Sequence, residues 1–250
     1  MNKKIDKTYK DSYKQLDHII LNYDKHGEDF GNQKRNSLKL FDLDGEVIIV
    51  KSFKTPNLFN QVIYQFFRKS KAQRSFEYAH KLLDLGIGTP KPIAYYEFPK
   101  NLFFNKSYYV SQHLNCDYTF RDLTEDFDIP DRENILRAFT RFTYNLHEKK
   151  VMFLDHSPGN TLIRKEKDHY KFYLVDLNRM RFKTLNYQER IENFSRLTID
   201  KNIVEIMSDE YAKCIHKDPS EVFDLMWYKA VSFRKKYQRK KVLKNKFNVK

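Results

Sequence analysis

The sequence predicts a two-lobed α+β protein, a small antiparallel β N-lobe followed by a mostly helical C-lobe, and three observations carry that prediction. Strand-like alternation with a hairpin turn marks residues 38–53 and 93–114. Apolar residues recur at helical spacing in 131–150 and again from Asn186 onward. Between these patterns lies the turn-rich stretch VMFLDHSPGNTLIRKEKDHYKFYLVDLNRMRF, residues 151–182. Strands first and helices second imply segregated layers rather than an alternating βαβ fold.

Composition sets outer bounds. The 250 residues suffice for one large core or two small lobes. A hydrophobic content of 40%, with 16% aromatics, argues for a folded chain despite 32% charged residues. The formal charge of +14 predicts attraction to polyanions: nucleic acid, an anionic membrane face, or phosphorylated or acidic glycans. Cys116 and Cys214 are far apart and outside any metal-ligand spacing, which fits free buried thiols in a reducing compartment. The N-terminal run MNKKIDKTYKDSYKQLDHII has no apolar core, so no signal peptide is expected, and no apolar run reaches the length of a membrane span. A cytoplasmic location follows as the expectation, free or peripherally bound.

Taken in order, residues 1–27 are polar and read as a loose N-terminal lead-in with one helical turn or more. Leu38–Phe41 and Val47–Phe53 flank DLDG, where Asp-Gly supplies the positive φ of a tight hairpin. Alternation in EVIIVKSF places Lys51 on one face with Ile49 and Phe53. Such a lysine either holds phosphates or, more plainly, protects a sheet edge from aggregation. Residues 57–84 are helical in pattern, with Ser70 and Gln73 restarting the helix and Gly86 stopping it. Glu77 on this helix either pairs locally with Lys81 or reaches Lys51 and steadies its ammonium. IAYYEF (93–98) and SYYVSQHL (107–114) are strands. Ile135, Phe139, Phe142 and Leu146 make the stripe of the next helix, with His147, Lys149 and Lys150 as cations at its C-terminal end. DPSE (218–221) starts a last helix that ends in a basic tail.

The central stretch concentrates the chemistry. Asp155 and Asn160 sit in the turn DHSPGN, presented by the short strand Thr161–Ile163, and Asp176 ends a second strand, FYLV. A hairpin between those strands returns Asp176 toward Asn160. One carboxylate to orient or deprotonate a hydroxyl, with an amide oxygen and a second carboxylate for Mg²⁺, is what phosphoryl transfer requires. An ordinary surface turn would read the same in isolation.

The order VxVK, helix Glu, DxxxxN, strand-VD resembles the eukaryotic-type protein-kinase fold. FLDHSPGN with LVDLNRMRF, VKSFK and EYAHKLLDLGIGTPKPIAYYE is more closely similar to the lipopolysaccharide core kinase family, the Kdo and heptose kinases, over about residues 30–200. That resemblance implies ATP and Mg²⁺ as cofactors. It implies Asp155 as catalytic base, Asn160 and Asp176 as metal ligands, Lys51 and Glu77 as the phosphate-holding pair, and backbone groups of Gln112 and Leu114 as the adenine hinge. It also implies a lobe division at 28–114 and 115–233, with 234–250 as a basic C-terminal tail. The departures are Phe153 where the kinase motif has His, Leu177 and Asn178 where it has Phe and Gly, and GNQKRNS (31–37) where a glycine-rich loop would stand. No peptide-seating segment follows Asp176, so the expected acceptor is compact, a Kdo or heptose hydroxyl of the lipid-anchored inner core. The alternatives are a minimal protein serine/threonine kinase and a pseudokinase or polyanion-binding module. Specific nucleic-acid recognition is not expected, because the chain offers charge without a recognition motif. The tail is read either as a solvated helix end or as a tether to an anionic membrane surface.

Overall fold

The computed structural model describes residues 1–31, 36–53, 69–100 and 103–247. The helix expected at 57–67 and the centre of GNQKRNS lie outside the described residues. The chain forms two compact units, Met1–Asn115 with Asp176–Asn178, and Cys116–Val175 with Arg179–Lys250.

The first unit is built on a six-stranded antiparallel sheet in the order β1-β5-β6-β4-β3-β2. Its strands are β1 (Asn2–Ile5), β2 (Glu28–Asp29), β3 (Ser37–Leu43), β4 (Glu46–Phe53), β5 (Pro92–Lys100) and β6 (Phe103–Gln112). Asp44 and Gly45, at φ 53° and 83°, make the two-residue turn between β3 and β4. Strand parity decides what each face packs against. Ile48 and Val50, with Ala94, Tyr96, Tyr108 and Val110, meet the helix α1 (Tyr13–Leu21) through Leu16, Ile19 and Ile20. Phe53 and Tyr95, of the other parity, meet α2 (Lys71–Asp84) through Ala72 and Phe76. Ser70 caps α2 by accepting from the Gln73 N–H at 3.0 Å. Gly86, at φ 66°, ends the helix, with Ile87 donating back to the Leu82 carbonyl at 2.8 Å.

The N-terminal stretch corrects the sequence reading. It is not a loose lead-in: β1 pairs with β5 from Asn2↔Glu97 to Ile5↔Ala94, and α1 covers one face of the sheet. Leu16, Ile19, Ile20 and Tyr23 follow helical spacing, and each is buried, worth about 1.5–3 kcal/mol for a large aliphatic side chain. The polar residues between them masked that narrow stripe.

The second unit is mostly helical: α3 (Phe120–Glu125), α4 (Arg132–Glu148), α5 (Tyr187–Glu192), α6 (Lys201–Ile215) and α7 (Pro219–Phe247). A core of Phe120, Phe139, Phe194, Met207, Tyr211 and Met226 joins them. β7 (Tyr118–Thr119), β9 (Thr161–Glu166) and β10 (His169–Leu174) form a small sheet, while β8 (Val151–Phe153) pairs with β11 (Met180–Phe182). The expected hairpin is β9-β10, in register from Leu174↔Thr161 to His169↔Glu166.

Asp218 caps α7, accepting from the N–H groups of Ser220 (2.9 Å) and Glu221 (3.1 Å). The helix does not dissolve into a tail as expected but continues to Phe247, and residues 234–243 are exposed on every side. Lys, Arg, Gln and Leu are good helix formers, so propensity extends the helix where no core supports it. Among the described residues no helix is long and apolar enough to cross a membrane.

Candidate active site

In the first unit, β4 presents Lys51 between Leu38 of β3 and Tyr109 of β6. Its parity puts it on the face that packs α2, and its Nζ lies 2.7 Å from Oδ1 of Asp176, with the lysine side chain 14% and the aspartate 30% exposed. Asp176 adopts a left-handed backbone, φ 60°, a conformation that costs a non-glycine residue about 1–2 kcal/mol and that Asp tolerates better than most. Asn178 donates to the same Oδ1 at 2.5 Å. The carboxylate is thus fixed by a cation and an amide donor from one side.

The expected Lys51–Glu77 pair is not what forms. Glu77 accepts from Lys69 Nζ at 2.7 and 2.9 Å and from Gln73 Nε2 at 3.0 Å. Lys69 lies just before the Ser70 cap, within easy reach of the first turns of α2, whereas Lys51 has already found Asp176. The expected hinge is also narrowed. The Gln112 N–H is taken by the Lys91 carbonyl at 2.9 Å, and the Gln112 side chain donates to the Tyr9 hydroxyl at 3.0 Å. Of the backbone groups of Gln112, that leaves the carbonyl for any ligand, with Leu114 just beyond the end of β6.

In the second unit, the DHSPGN turn follows β8 and ends in a single 3-10 turn, Pro158–Asn160. Asn160 Nδ2 donates to the Asp155 carbonyl at 2.8 Å, which closes the loop on itself. The Val175 N–H donates to the Asn160 carbonyl at 3.0 Å, one residue before Asp176. The amide oxygen of Asn160 receives no donor from the described residues and is a hard oxygen ligand of the kind Mg²⁺ prefers. Among the described residues no cluster of three His, Cys, Asp or Glu side chains could hold a metal. An Asn oxygen and an Asp carboxylate are each of the hard-oxygen type that Mg²⁺ takes alongside phosphate oxygens and water.

Two guanidinium groups hold the Asp155 side chain, which is 17% exposed. Arg179 Nη1 is 3.1 Å and Arg196 Nη1 3.0 Å from the same oxygen, Oδ1. None of the described residues donates to Oδ2, so one oxygen is anchored and the other is not. Arg196 also donates to the Leu154 carbonyl at 3.0 Å.

Behind the loop runs a buried polar relay. Asn193 Nδ2 donates to the Phe153 carbonyl at 2.7 Å, which turns its amide oxygen toward His147 Nε2 at 3.2 Å. His147 Nε2 must then carry the proton, so Nδ1 accepts from the Tyr211 hydroxyl at 2.7 Å. Burial pushes His147 down to about 4, and it is a neutral link in this relay, not the helix-end cation that its position suggested. His156, next to Asp155, is fully buried among Phe139, Phe153 and Phe194, and burial pushes it down to about 3. Its ring nitrogens have no well-formed hydrogen bond among the described residues, and after burial the neighbouring His147 does most to lower it.

Sequence reasoning missed Arg179, Arg196, Asn193 and Tyr211. Arg179 had a signal, since it sits in the LVDLNRMRF run beside Asp176. Arg196 and Asn193 had none, because their partners are distant in sequence and lie in the turn that they brace.

Comparison with known proteins points the same way. A family model described as lipopolysaccharide kinase (Kdo/WaaP) family matches residues 50–216. No curated protein matches the chain. A solved structure described as WaaP in complex with acyl carrier protein aligns with a TM-score of 0.63, covering 93% of this chain and 99% of that chain at 15% identity. That likeness is one of fold.

Proposed function

The chain belongs to the lipopolysaccharide kinase (Kdo/WaaP) family, and from that premise we propose that it transfers the γ-phosphoryl group of ATP, with Mg²⁺, to a sugar hydroxyl of the lipopolysaccharide inner core, on Kdo or heptose. The observation that carries this reading is the Asp155 carboxylate held by Oδ1 alone, on a loop closed by Asn160. Oδ2 takes the acceptor hydroxyl's proton as the new oxygen–phosphorus bond forms and the bond from Pγ to the β,γ-bridging oxygen breaks, releasing ADP. Asn160 and Asp176 are the residues that would hold Mg²⁺, which would supply charge neutralisation of the phosphates. Lys51 exchanges Asp176 for phosphate oxygens when nucleotide arrives, and Glu77 is the acid that then steadies its ammonium. The Gln112 carbonyl and Leu114 contact the purine.

The test is label transfer from γ-labelled ATP to a delipidated Kdo–heptose core oligosaccharide and, in parallel, to a generic peptide. Mg²⁺-dependent labelling of the oligosaccharide alone supports the proposal. Labelling of the peptide would make the chain a protein kinase, and ATP binding without transfer would make it a pseudokinase.

The exposed end of α7 completes the reading. Residues 234–243 include Arg234, Lys235, Lys236, Arg239, Lys240 and Lys241, interleaved with exposed Tyr237, Val242 and Leu243. An anionic leaflet bearing the lipid-anchored acceptor suits this composition, at about 1 kcal/mol per basic residue near the surface. Replacing Arg234, Lys235, Lys236, Arg239, Lys240 and Lys241 by Gln, which keeps the helix, is expected to abolish sedimentation with anionic liposomes while leaving reaction with the soluble oligosaccharide nearly unchanged. Retained liposome binding would rule out the tether.

A further inference from the structure

We infer that Arg196 is the positioning residue for Asp155 and that Phe233, at the root of the exposed part of α7, sets Arg196; this rests on the reading of Asp155 as the proton acceptor. Arg196 follows α5 and makes three contacts with one guanidinium group. Nη1 donates to the Leu154 carbonyl at 3.0 Å and lies 3.0 Å from Asp155 Oδ1, while the guanidinium carbon sits 5.3 Å from the centre of the Phe233 ring. The first contact fixes the peptide preceding Asp155 and the second fixes the carboxylate. The third keeps a long, flexible side chain in a single orientation.

Arg179 cannot replace it. It reaches the same oxygen, but its guanidinium is about half exposed, and its backbone carbonyl already serves as acceptor for the Leu154 N–H at 3.1 Å. Arg196 is the better covered of the two, with its side chain 33% exposed. Where the protein-kinase motif places a His, this chain has the fully buried Phe153, which offers the loop no side-chain hydrogen bond. The Leu154 carbonyl and Asp155 Oδ1 are both reached from Nη1 of Arg196, and the flat guanidinium over Phe233 holds that nitrogen in place with a rigidity that Lys, a point charge on a flexible stem, does not reproduce. Because Phe233 belongs to the same continuous helix as the exposed basic residues, the orientation of the catalytic carboxylate depends on the C-terminal helix being folded at least as far as Phe233.

The experiment measures steady-state transfer to the core oligosaccharide in the full chain. Arg196→Gln is expected to lower kcat about 10- to 100-fold, as a misplaced catalytic group does, with the KM for ATP within about 2-fold. Arg196→Lys should recover only part of that loss. Arg196→Ala should regain activity in millimolar guanidinium chloride but not in equal sodium chloride. Phe233→Leu should lower kcat about 2- to 5-fold, the value of one cation–π contact. Equal losses in kcat and ATP affinity, or no response to guanidinium, would overturn the positioning role. Should wild type transfer nothing to the oligosaccharide, the functional reading fails, and amide hydrogen exchange decides the inference separately. Arg196→Gln must then speed exchange at Leu154 and His156 while α4 is unaffected, and unchanged exchange there would refute it.

Discussion

The two units hold their candidate residues in opposite ways. In the first, charged side chains are held by other charged side chains: Lys51 on Asp176, Glu77 on Lys69. Such pairs are partly exposed and individually weak, and each can be exchanged for a phosphate or a cation of the same sign without any backbone change. In the second, the loop is held through its peptide groups. The carbonyls of Phe153, Leu154 and Asp155 accept from Asn193, Arg196 and Asn160, and that of Asn160 accepts from Val175. Those bonds are satisfied permanently. The contrast teaches that parts which must trade partners during turnover are built from ion pairs, and parts which must stay aimed are built from hydrogen bonds to the main chain.

The largest expected effect tests the fixed half. Asp155→Asn keeps the size of the side chain but removes the proton acceptor together with the charge that Arg179 and Arg196 hold, so transfer should fall about 10²- to 10⁴-fold with ATP binding retained. Wild-type turnover in that variant would reduce Asp155 to a loop residue. Next comes the exchangeable half. Mg-ATP at 100 times its Kd should stabilise wild type by about 2.7 kcal/mol, and Asp176→Asn should lose the Mg²⁺-dependent part of that increment in a thermal-shift titration. An undiminished shift would remove Asp176 from the metal.

A smaller effect sharpens the contrast through pH. His147 and His156 are held neutral, down to about 4 and about 3, while an unfolded chain protonates them near pH 6.5. Below that value the unfolded state binds more protons, so stability is fully present above pH 6.5 and declines as pH falls toward 4 and 3. Each histidine contributes about 2 kcal/mol of this loss by pH 5. Urea melts between pH 7 and 5 should show the decline, and His156→Leu should make it shallower; an unchanged slope would mean that His156 does not carry it. The smallest effect is that of Glu77→Gln, which breaks a mostly exposed pair and should change stability by less than about 0.5 kcal/mol. If Glu77 moves to Lys51 once nucleotide is bound, this variant should instead raise the KM for ATP; an unaltered KM would leave Glu77 with Lys69 alone.

Much of this arrangement was legible in the sequence where local rules act. The Asp-Gly turn, the Ser70 cap, the Gly86 stop, the β9-β10 hairpin and the α7 start all depend on residues within a few positions of one another. The order of Lys51, Asp155, Asn160 and Asp176 was legible for the same reason. Partner choice was not. Whether Lys51 meets Glu77 or Asp176, and which arginine reaches Asp155, is settled by packing between segments far apart in the chain. The role of His147 was misjudged because its helix-end position suggested a cation, while Tyr211 and Asn193, which bury it and fill both ring nitrogens, are 64 and 46 residues away. Helix α1 was legible only as a helical turn or more in a loose segment, because a narrow apolar stripe was diluted by lysines and aspartates; nor are the thiols buried as expected, Cys116 being exposed and Cys214 half-buried.

The covering of the sheet by β1 and α1 has a practical consequence for anyone seeking a minimal active fragment. The family model matches residues 50–216, which begin inside β4. A polypeptide trimmed to those limits would lack β3 and the helix that shields Val50, Ala94, Tyr96, Tyr108 and Val110, presenting water with both a bare apolar face and an unpaired strand edge. It would also end before α7, discarding Val222, Met226 and Phe233. Such a fragment should accumulate in inclusion bodies on expression, so the boundaries of recognisable homology are a poor guide to where this protein can be cut.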